Sequence, residues 1–314
     1  DMIRHKTGGD AGRNGPLAMT LLVRNEADIV RQNIEFHLSR GVDHIIATDN
    51  GSNDGTTEIL EEFSKSGSLT LFHEPSGKFL QKEWVNRMIA FGIEKFGFAW
   101  LLNNDADEFW RPPNKRDGSV GNLKELLATA TAPMIRCRRV NLLASANELD
   151  GTDWQDKLVW RSRVASAPNS KELLGFLPKL HPYFCYRLPE KVIVHSGGLI
   201  EVEKGAHIAR YSEPVKSVDL GIEILHCPVR SSDEFRDSVM QISNSLKFNQ
   251  SLKPGQSSKY VKWRKVFDKT GSTERLLKEA VPGASRLMVY RLTGLVTKDT
   301  RLRDDLALLE TNRI

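Results

Sequence analysis

The sequence of 314 residues contains only three cysteines, Cys137, Cys185 and Cys227. They lie far apart and form no C-x-x-C pair, which argues against a disulfide framework or a structural zinc site and favours a reducing compartment. No run of about 18 apolar residues occurs, so we predict no membrane-spanning helix. Residues 1–16 are polar and glycine-rich and lack the apolar stretch of a secretory signal. We therefore expect a cytoplasmic protein that begins with a disordered tail.

Glycine-rich phosphate loops are also missing. The sequence has no G-x-x-x-x-G-K-[ST] motif, and no G-x-G-x-x-G follows the first apolar segment. These absences exclude a P-loop and the usual dinucleotide fingerprint. A third way to bind a nucleotide, which needs no glycine-rich loop, is through a metal-bridged diphosphate held by aspartates.

Charge is unevenly placed along the chain, which has a formal net charge of +5. Between Leu246 and Arg303 there are fourteen Lys or Arg against four acidic residues, a surplus of about ten. This segment could be a solvated helical surface, or it could face an anionic lipid or an anionic acceptor. We expect no nucleic-acid partner, because neither a nucleic-acid motif nor a stripe of surface aromatics accompanies the charge.

Short apolar segments alternate with amphipathic ones in the first third of the chain. The apolar segments are 17–23, 44–48, 69–72 and 98–102. Between them, apolar residues recur at helical spacing, as in Val30, Ile34 and Leu38. This alternation predicts an α/β fold with a mostly parallel sheet flanked by helices.

Polar clusters follow three of these predicted strands. They are Arg24-Asn25-Glu26, residues 49–54 and residues 105–108. The carboxyl ends of parallel strands share one edge of a sheet, so we expect the clusters to form one crevice. Asp105 and Asp107 would point to the same side of an extended segment and suit Mg²⁺ or Mn²⁺. The alternative is a pair of carboxylates that cap a turn, and Asp49 is similarly either a nucleotide ligand or a turn residue.

The motifs resemble one family when taken in order. Val23-Arg24-Asn25-Glu26, Gly41-Val42-Asp43-His44, the segment Asp49-Asn50-Gly51-Ser52-Asn53-Asp54-Gly55-Thr56 and Asp105-Ala106-Asp107-Glu108-Phe109 are similar to those of family 2-like glycosyltransferases of the GT-A fold, closest to the branch of family 92. The resemblance is strong over 17–110 and thins through 111–190. It partly returns at Lys191-Val192-Ile193, His207 and Ile224-Leu225-His226.

This resemblance implies a GT-A fold, a nucleoside-diphosphate-sugar donor and Mn²⁺ or Mg²⁺ as cofactor. The residues that it implies for donor binding are Arg24, Asn25, Glu26, Asp49, Asn50, Ser52, Asp54, Gln81, Lys82 and Asp105. The implied metal ligands are Asp105, Asp107 and His226, with Asp107 the more direct of the two aspartates. His207 and His195 are further candidate histidines, whereas we expect His37 to be a helix-facing or surface residue.

The function that the resemblance implies is inverting transfer of a sugar to a hydroxyl of a saccharide or glycolipid acceptor, in surface polysaccharide or glycoconjugate synthesis. Such a transfer needs a base for the acceptor proton. The candidates are Glu148, Asp150, Asp153 and His195. One alternative is a non-catalytic carbohydrate- or membrane-binding protein on a degenerate scaffold. A sugar nucleotidyltransferase is another, although it would require a glycine-rich, arginine-containing loop after the first strand.

These observations give a predicted domain organisation. Residues 17–230 form a catalytic domain, with a nucleotide-binding half (17–110) and an acceptor half (111–230), and residues 231–314 form a helical, basic extension. Within the extension, 285–296 is predicted to be an amphipathic helix. It either lies on the inner face of a membrane or packs back on the catalytic domain.

Overall fold

The computed structural model of the chain describes residues 12–74, 80–151, 153–166, 181–248 and 258–311. The predicted tail falls mostly on residues 1–11, which lie outside this part. The strands are β1 Leu17–Val23, β2 His44–Asp49, β3 Leu69–His73, β4 Trp100–Asn104, β5 Glu108–Arg111, β6 Met134–Leu143, β7 Trp160–Ser162, β8 Lys191–His195, β9 Leu199–Val202, β10 Ala209–Tyr211, β11 Ser217–His226 and β12 Val296–Lys298. The helices are α1 Val30–Ser39, α2 Thr56–Lys65, α3 Gln81–Phe96, α4 Leu123–Ala128, α5 Trp154–Lys157, α6 Ser232–Phe248, α7 Ser258–Thr270, α8 Thr273–Ala280, α9 Ala284–Leu292 and α10 Arg301–Thr311.

The chain forms two compact units that are not continuous in sequence. The first unit comprises residues up to 139 together with 189–224, and the second comprises 140–188 together with 225–312. The long strands β6 and β11 each begin in the first unit and end in the second. Residues 140–188 thus group with the C-terminal helices, whereas the sequence suggested the segments 17–230 and 231–314.

The sheet of the first unit confirms the predicted α/β architecture. Its strand order is β6-β8-β4-β1-β2-β3. Strand β1 pairs in parallel with β2 and β4, and β2 pairs in parallel with β3. Strand β8 is antiparallel to both β4 and β6. The strand order reverses at β1, so the loops after β1, β2 and β4 meet at one edge, where ligands bind in such sheets.

Helix α3 packs closely on this sheet. Val85, Met88 and Ile89 of α3 share a buried cluster with residues of β1, β2, β4 and β8. Gly92 makes the close approach possible, because a Cβ at this position would lie 2.7 Å from the Cδ1 atom of Ile46. The apolar strands are covered by helices, which explains their nearly continuous hydrophobic runs.

The second unit contains the predicted C-terminal helices and a small antiparallel sheet of β12, β7 and the end of β6. The helix predicted over 285–296 ends earlier in the structure, at Leu292. Gly294, with φ of +71°, follows the last turn of α9, and Val296 begins β12 instead. Among the described residues, no helix combines the length and apolar character that crossing a membrane requires.

Candidate active site

The loops after β1 and β2 are joined by hydrogen bonds that use the predicted donor-binding residues. The Asn25 amide donates to Ser52 Oγ at 3.0 Å, and the Asn53 amide donates to Asn25 Oδ1 at 2.9 Å. The Ala27 amide donates to Asp54 Oδ2 at 3.1 Å. Asn25 has a φ of +58°, a left-handed conformation that asparagine tolerates better than most residues. Asn25, Ser52 and Asp54 therefore hold the two loops together.

Asp49 also builds this loop pair. Its buried carboxylate accepts hydrogen bonds from the hydroxyls of Ser52 and Thr57, each at 2.6 Å. The structure thus shows the turn-forming role that was the alternative for Asp49, and its contact with a nucleobase stays a prediction.

Two buried polar atoms in these loops have no protein partner within the described residues. They are Asn50 Oδ1 and Arg24 Nε. A buried polar atom without a hydrogen bond costs free energy, so it marks a place where a ligand could supply the missing partner. Both residues were predicted to contact the donor. Glu26, the third residue of the first cluster, donates its amide to Thr56 Oγ1 at 2.8 Å.

The D-x-D segment forms a tight turn. Strand β4 ends at Asn104, and the Glu108 amide donates to the Asp105 carbonyl at 3.0 Å. The expectation of an extended segment, with Asp105 and Asp107 alternating onto one side, is therefore wrong. The backbone reverses here because β5 begins directly at Glu108.

A buried amide on α1 supports this turn. Asn33 Nδ2 donates to the carbonyls of Ala106 and Glu108, at 2.9 and 2.8 Å. Asn33 Oδ1 accepts from Asn104 Nδ2 at 2.8 Å, so the side chain also ties the turn to the end of β4. Asn33 was not among the residues predicted from the sequence. A buried asparagine on the apolar side of an amphipathic helix was the available signal.

His37 continues this network and is not a surface residue. Its Nδ1 donates to the Asn33 carbonyl at 2.7 Å, and its Nε2 accepts from the Trp110 amide at 3.1 Å. Complete burial lowers the pKa of His37 from 6.5 to about 4. The ring is therefore neutral at physiological pH, and its hydrogen-bond partners determine which nitrogen carries the proton.

A buried lysine lies behind the D-x-D turn. Lys191 Nζ donates to Asp105 Oδ2 at 2.7 Å and to Glu108 Oε2. Glu108 Oε1 accepts from Arg139 Nη1 at 3.1 Å. The side chains of Lys191 and Glu108 are 1% and 0% exposed, whereas that of Asp105 is 41% exposed. Burial alone lowers the pKa of Lys191, but the carboxylates of Asp105 and Glu108 raise it above its ordinary value, so the ammonium stays charged.

In the sequence, Lys191 stood out only within a segment of resemblance, and Glu108 had no predicted role. The available signal was a lysine at the start of an apolar strand, Lys-Val-Ile-Val. Local patterning could not show that this strand runs beside β4 with Lys191 near Asp105.

The start of α3 holds the other predicted donor contacts. Lys82 Nζ forms ion pairs with Glu203 at 3.0 Å and Glu201 at 3.1 Å, and its hydrogen bond to Glu203 raises its pKa. Its charge is thus offset within the protein. Gln81 is the first residue of the helix and is partly exposed. Contact of either residue with a diphosphate stays a prediction.

The structure does not bring His195 to the D-x-D edge. In the antiparallel pairing of β4 with β8, His195 lies opposite Trp100, at the beginning of β4, and their rings contact at 4.9 Å between centroids. The four-residue separation from Asn104 corresponds to about 13 Å along the strand. His207 also lies in the first unit. Its Nδ1 contacts the Glu190 carbonyl at 2.7 Å, and burial lowers its pKa.

His226 lies in the second unit with a defined ring orientation. Asn141 donates from Nδ2 to the carbonyls of Phe184 and Tyr186, so its Oδ1 accepts from His226 Nδ1 at 2.6 Å. Histidine ligands of metals commonly donate one ring nitrogen in this way, which makes the other the acceptor. The orientation of His226 therefore suits a ligand through Nε2.

The remaining base candidates also lie in the second unit. Glu148 and Asp153 are exposed. Asp150 accepts hydrogen bonds from the amide and hydroxyl of Ser232, so it caps the start of α6. The structure gives Asp150 a local structural role and leaves Glu148 and Asp153 accessible.

The part of the chain that the structure describes holds no group of three or more His, Cys, Asp or Glu side chains placed to bind a metal ion. Asp105 accepts a hydrogen bond from the Lys191 ammonium, and metal binding by Asp105, Asp107 or His226 stays a prediction. The hard oxygen donors still fit Mg²⁺ or Mn²⁺ if the phosphates of a donor supply most ligands.

Comparison with known proteins gives a family for part of the chain. Residues 19–159, a little under half of the chain, match the sequence model of Glycosyltransferase family 92. No curated protein matches the chain.

Three solved structures illustrate the structural similarity. S. aureus TarS 1-349 in complex with UDP-GlcNAc is 12% identical to this chain. The match covers 95% of this chain and 91% of the TarS chain, with a TM-score of 0.33. The complex of TarS 1-349 with UDP is 10% identical, with 78% and 69% coverage and the same TM-score of 0.33. A mycobacterial protein is 14% identical, with 74% and 76% coverage and a TM-score of 0.33.

The family match spans β1 to β6, the elements that build the sheet edge described above. It includes the loops after β1 and β2, the D-x-D turn, and the helix that supports that turn. The match over residues 19–159, together with the mostly parallel sheet and its flanking helices, identifies the chain as a glycosyltransferase with a GT-A-like fold.

Proposed function

We propose that this glycosyltransferase is metal-dependent and inverting, and that its donor is a nucleoside-diphosphate sugar. The acceptor is a hydroxyl of a saccharide or glycolipid, in surface polysaccharide or glycoconjugate synthesis. The observation that supports donor binding is the pair of buried, unsatisfied atoms Asn50 Oδ1 and Arg24 Nε in the loops at the carboxyl edge of β1 and β2. A nucleoside has hydrogen-bonding groups that can satisfy both.

The proposed roles follow the three loops at this edge. The loops after β1 and β2 hold the nucleoside, and the D-x-D turn faces the diphosphate. Asp107 would hold Mn²⁺ or Mg²⁺ together with the phosphates of the donor. Such a metal ion neutralises negative charge on a departing diphosphate, an effect worth several kcal/mol.

The acceptor hydroxyl needs a base, because it is a poor nucleophile at neutral pH. Glu148 and Asp153 are the proposed candidates, since both carboxylates are exposed and can exchange protons with solvent. Glu148→Gln or Asp153→Asn should lower kcat by about 100-fold, with little change in donor affinity, if that residue is the base. Full transfer activity in both variants would exclude these two residues.

The central test is nucleotide binding. UDP or GDP with Mn²⁺ should raise the melting temperature, because a ligand at 100 times its Kd stabilises the folded state by about 2.7 kcal/mol. EDTA should remove the part of the shift that depends on metal and leave a smaller shift from the nucleotide alone. If neither nucleotide stabilises the protein with or without metal, the donor proposal is wrong, and a non-catalytic binding scaffold becomes the better explanation.

Asp107→Ala tests the metal ligand. We expect it to lower metal-dependent donor turnover by at least about 100-fold, since Lewis-acid stabilisation is worth several kcal/mol. Asp117→Ala is a matched control, because Asp117 is an exposed aspartate in a turn of the same unit. Equal activity of the two variants would remove Asp107 from the metal site.

We also propose that the protein is cytoplasmic and contacts the inner face of a membrane through α9. Leu287 and Tyr290 on one side of this helix are buried, whereas Met288, Val289 and Leu292 on the opposite side are each more than half exposed. An outward apolar face on a basic segment is typical of an interfacial helix.

Flotation with vesicles tests this contact. Met288→Ser with Leu292→Ser should weaken binding to vesicles that contain phosphatidylglycerol. Leu308→Ser is the control, because Leu308 is a similarly exposed leucine on α10. If the double variant floats like the control, α9 does not bind the membrane.

A further inference from the structure

Four charged groups behind the D-x-D turn are linked by hydrogen bonds within the first unit. Lys191 links Asp105 to Glu108, and Arg139 holds the other oxygen of Glu108. Two carboxylates and two cations give a formal charge of zero. Lys191 and Glu108 are almost completely buried, whereas Asp105 extends from the set into solvent. Asp105 is therefore the only one of the four whose side chain is substantially exposed.

A lysine side chain is rarely fully buried unless it is paired with groups of opposite charge. Glu108 alone does not account for Lys191, because Arg139 already makes a charged hydrogen bond to it. The ammonium instead spans both carboxylates and fixes one oxygen of Asp105, Oδ2. Fixing this oxygen restricts the rotamers of Asp105 and determines how its other oxygen is presented at the carboxyl edge of β4.

We infer that Lys191 is a positioning residue for donor binding: it anchors Asp105 as a hydrogen-bond acceptor for the donor and keeps this carboxylate from serving as a metal ligand. The inference rests on the proposed function, since it assumes that the D-x-D edge receives a nucleoside diphosphate. The two aspartates of the motif then have different roles: Asp105 accepts a hydrogen bond from the donor, and Asp107 faces the metal ion.

Two measurable consequences follow. Without the contact to Lys191, the Asp105 side chain is free to rotate and must be ordered when the donor binds. This ordering costs free energy, so the nucleotide should bind more weakly in the absence of metal. The Lys191 ammonium also competes with any divalent cation for the Asp105 carboxylate. Removing the ammonium should therefore strengthen the binding of Mn²⁺ alone while it weakens the binding of nucleotide in EDTA.

The informative variant is Lys191→Met combined with Glu108→Gln. Lys191→Met alone would leave buried Glu108 with one of its two cations removed. The double variant loses one positive and one negative group, so it keeps the formal charge of the wild type, and the introduced glutamine can still accept a hydrogen bond from Arg139. A change in affinity then reports the position of Asp105 and not the net charge.

Titration calorimetry with UDP in EDTA, and separately with Mn²⁺ alone, measures both consequences. We expect the double variant to bind UDP about tenfold more weakly than the wild type, and Mn²⁺ about tenfold more tightly. Glu108→Gln alone keeps the contact between Lys191 and Asp105, so it is the matched control. The absence of either change in the double variant overturns the inference.

Asp105→Asn supplies a second route, because the side chain is 41% exposed and asparagine keeps an oxygen that can accept a hydrogen bond from Lys191. In the wild type this substitution should weaken UDP binding in EDTA by about tenfold, and in the double variant by much less, since Asp105 is no longer anchored there. Equal effects in both backgrounds would refute a role through Asp105. If the wild type binds neither UDP nor GDP, the proposed function fails and this inference fails with it. If the wild type binds and the double variant matches it, the inference alone fails.

Discussion

His37 makes the stability of the first unit depend on pH. The unfolded chain has an ordinary histidine with a pKa near 6.5, whereas burial lowers the pKa of folded His37 to about 4. Between these two values the unfolded state binds more protons, so the free energy of unfolding rises with pH. The stabilisation from a neutral His37 is complete above about pH 6.5 and is lost as the pH falls towards about 4.

The size of this effect follows from the difference in pKa. Each pKa unit corresponds to about 1.4 kcal/mol, so the whole shift in the pKa of His37 is worth about 3 kcal/mol of folding stability. Acidification from about pH 7.5 to about pH 5 should lose about 2 kcal/mol through His37 alone. The main cause is burial, which disfavours the charged ring. A protonated Nε2 could also no longer accept from the Trp110 amide.

Urea unfolding of the wild type and His37→Gln at these two pH values measures the effect, with tryptophan fluorescence as the signal. Glutamine has a donor and an acceptor but does not titrate. On acidification the His37→Gln variant should therefore lose about 2 kcal/mol less stability than the wild type. His73→Gln, which removes an exposed histidine at the end of β3, is the control and should behave like the wild type. An identical acid-induced loss in wild type and His37→Gln would refute the reasoning.

Three further changes test the packing of the protein. Asn33→Leu leaves two carbonyls of the D-x-D turn without their donor and should lower the free energy of unfolding by about 3 kcal/mol in urea titrations; a loss below about 1 kcal/mol would contradict the network. Gly92→Val should lower it by about 2 kcal/mol, because its Cβ would lie 2.7 Å from Ile46 Cδ1. Gly12→Ala, at a position with open space, is its control, and equal stability of the two would contradict the close approach. The three cysteines are buried, and burial raises the pKa of Cys137, so a thiol reagent should label them only after denaturation; rapid labelling of the native protein would be inconsistent with this burial.

The sequence indicated the position of the candidate site because polar residues interrupt apolar strands at their ends. Asp49 and Asp105 could be placed at or just past the ends of β2 and β4 from this change in composition. Composition could not distinguish a loop-building aspartate from a ligand-binding one. In the structure, Asp49 accepts from Ser52 and Thr57, contacts that depend on the geometry of the loop and not on residue type.

Other features of the site depend on contacts between residues distant in the sequence. The extended D-x-D segment was a reasonable prediction from alternation, but the early start of β5 and the donors of Asn33 make it a turn. His195 resembled a base candidate until the antiparallel direction of β8 placed it at the other end of β4. The same strand direction brings Lys191 to Asp105, 86 residues away in sequence.

The order of amino acids alone therefore determined the alternation of strands and helices, the mostly parallel sheet and the edge where polar residues gather, because hydrophobic periodicity and turn chemistry act over a few residues. The tertiary structure decided which cation neutralises Asp105, which histidine is buried and which candidate lies at the wrong edge. These outcomes depend on strand direction and on long-range burial, and both arise only when distant segments pack together.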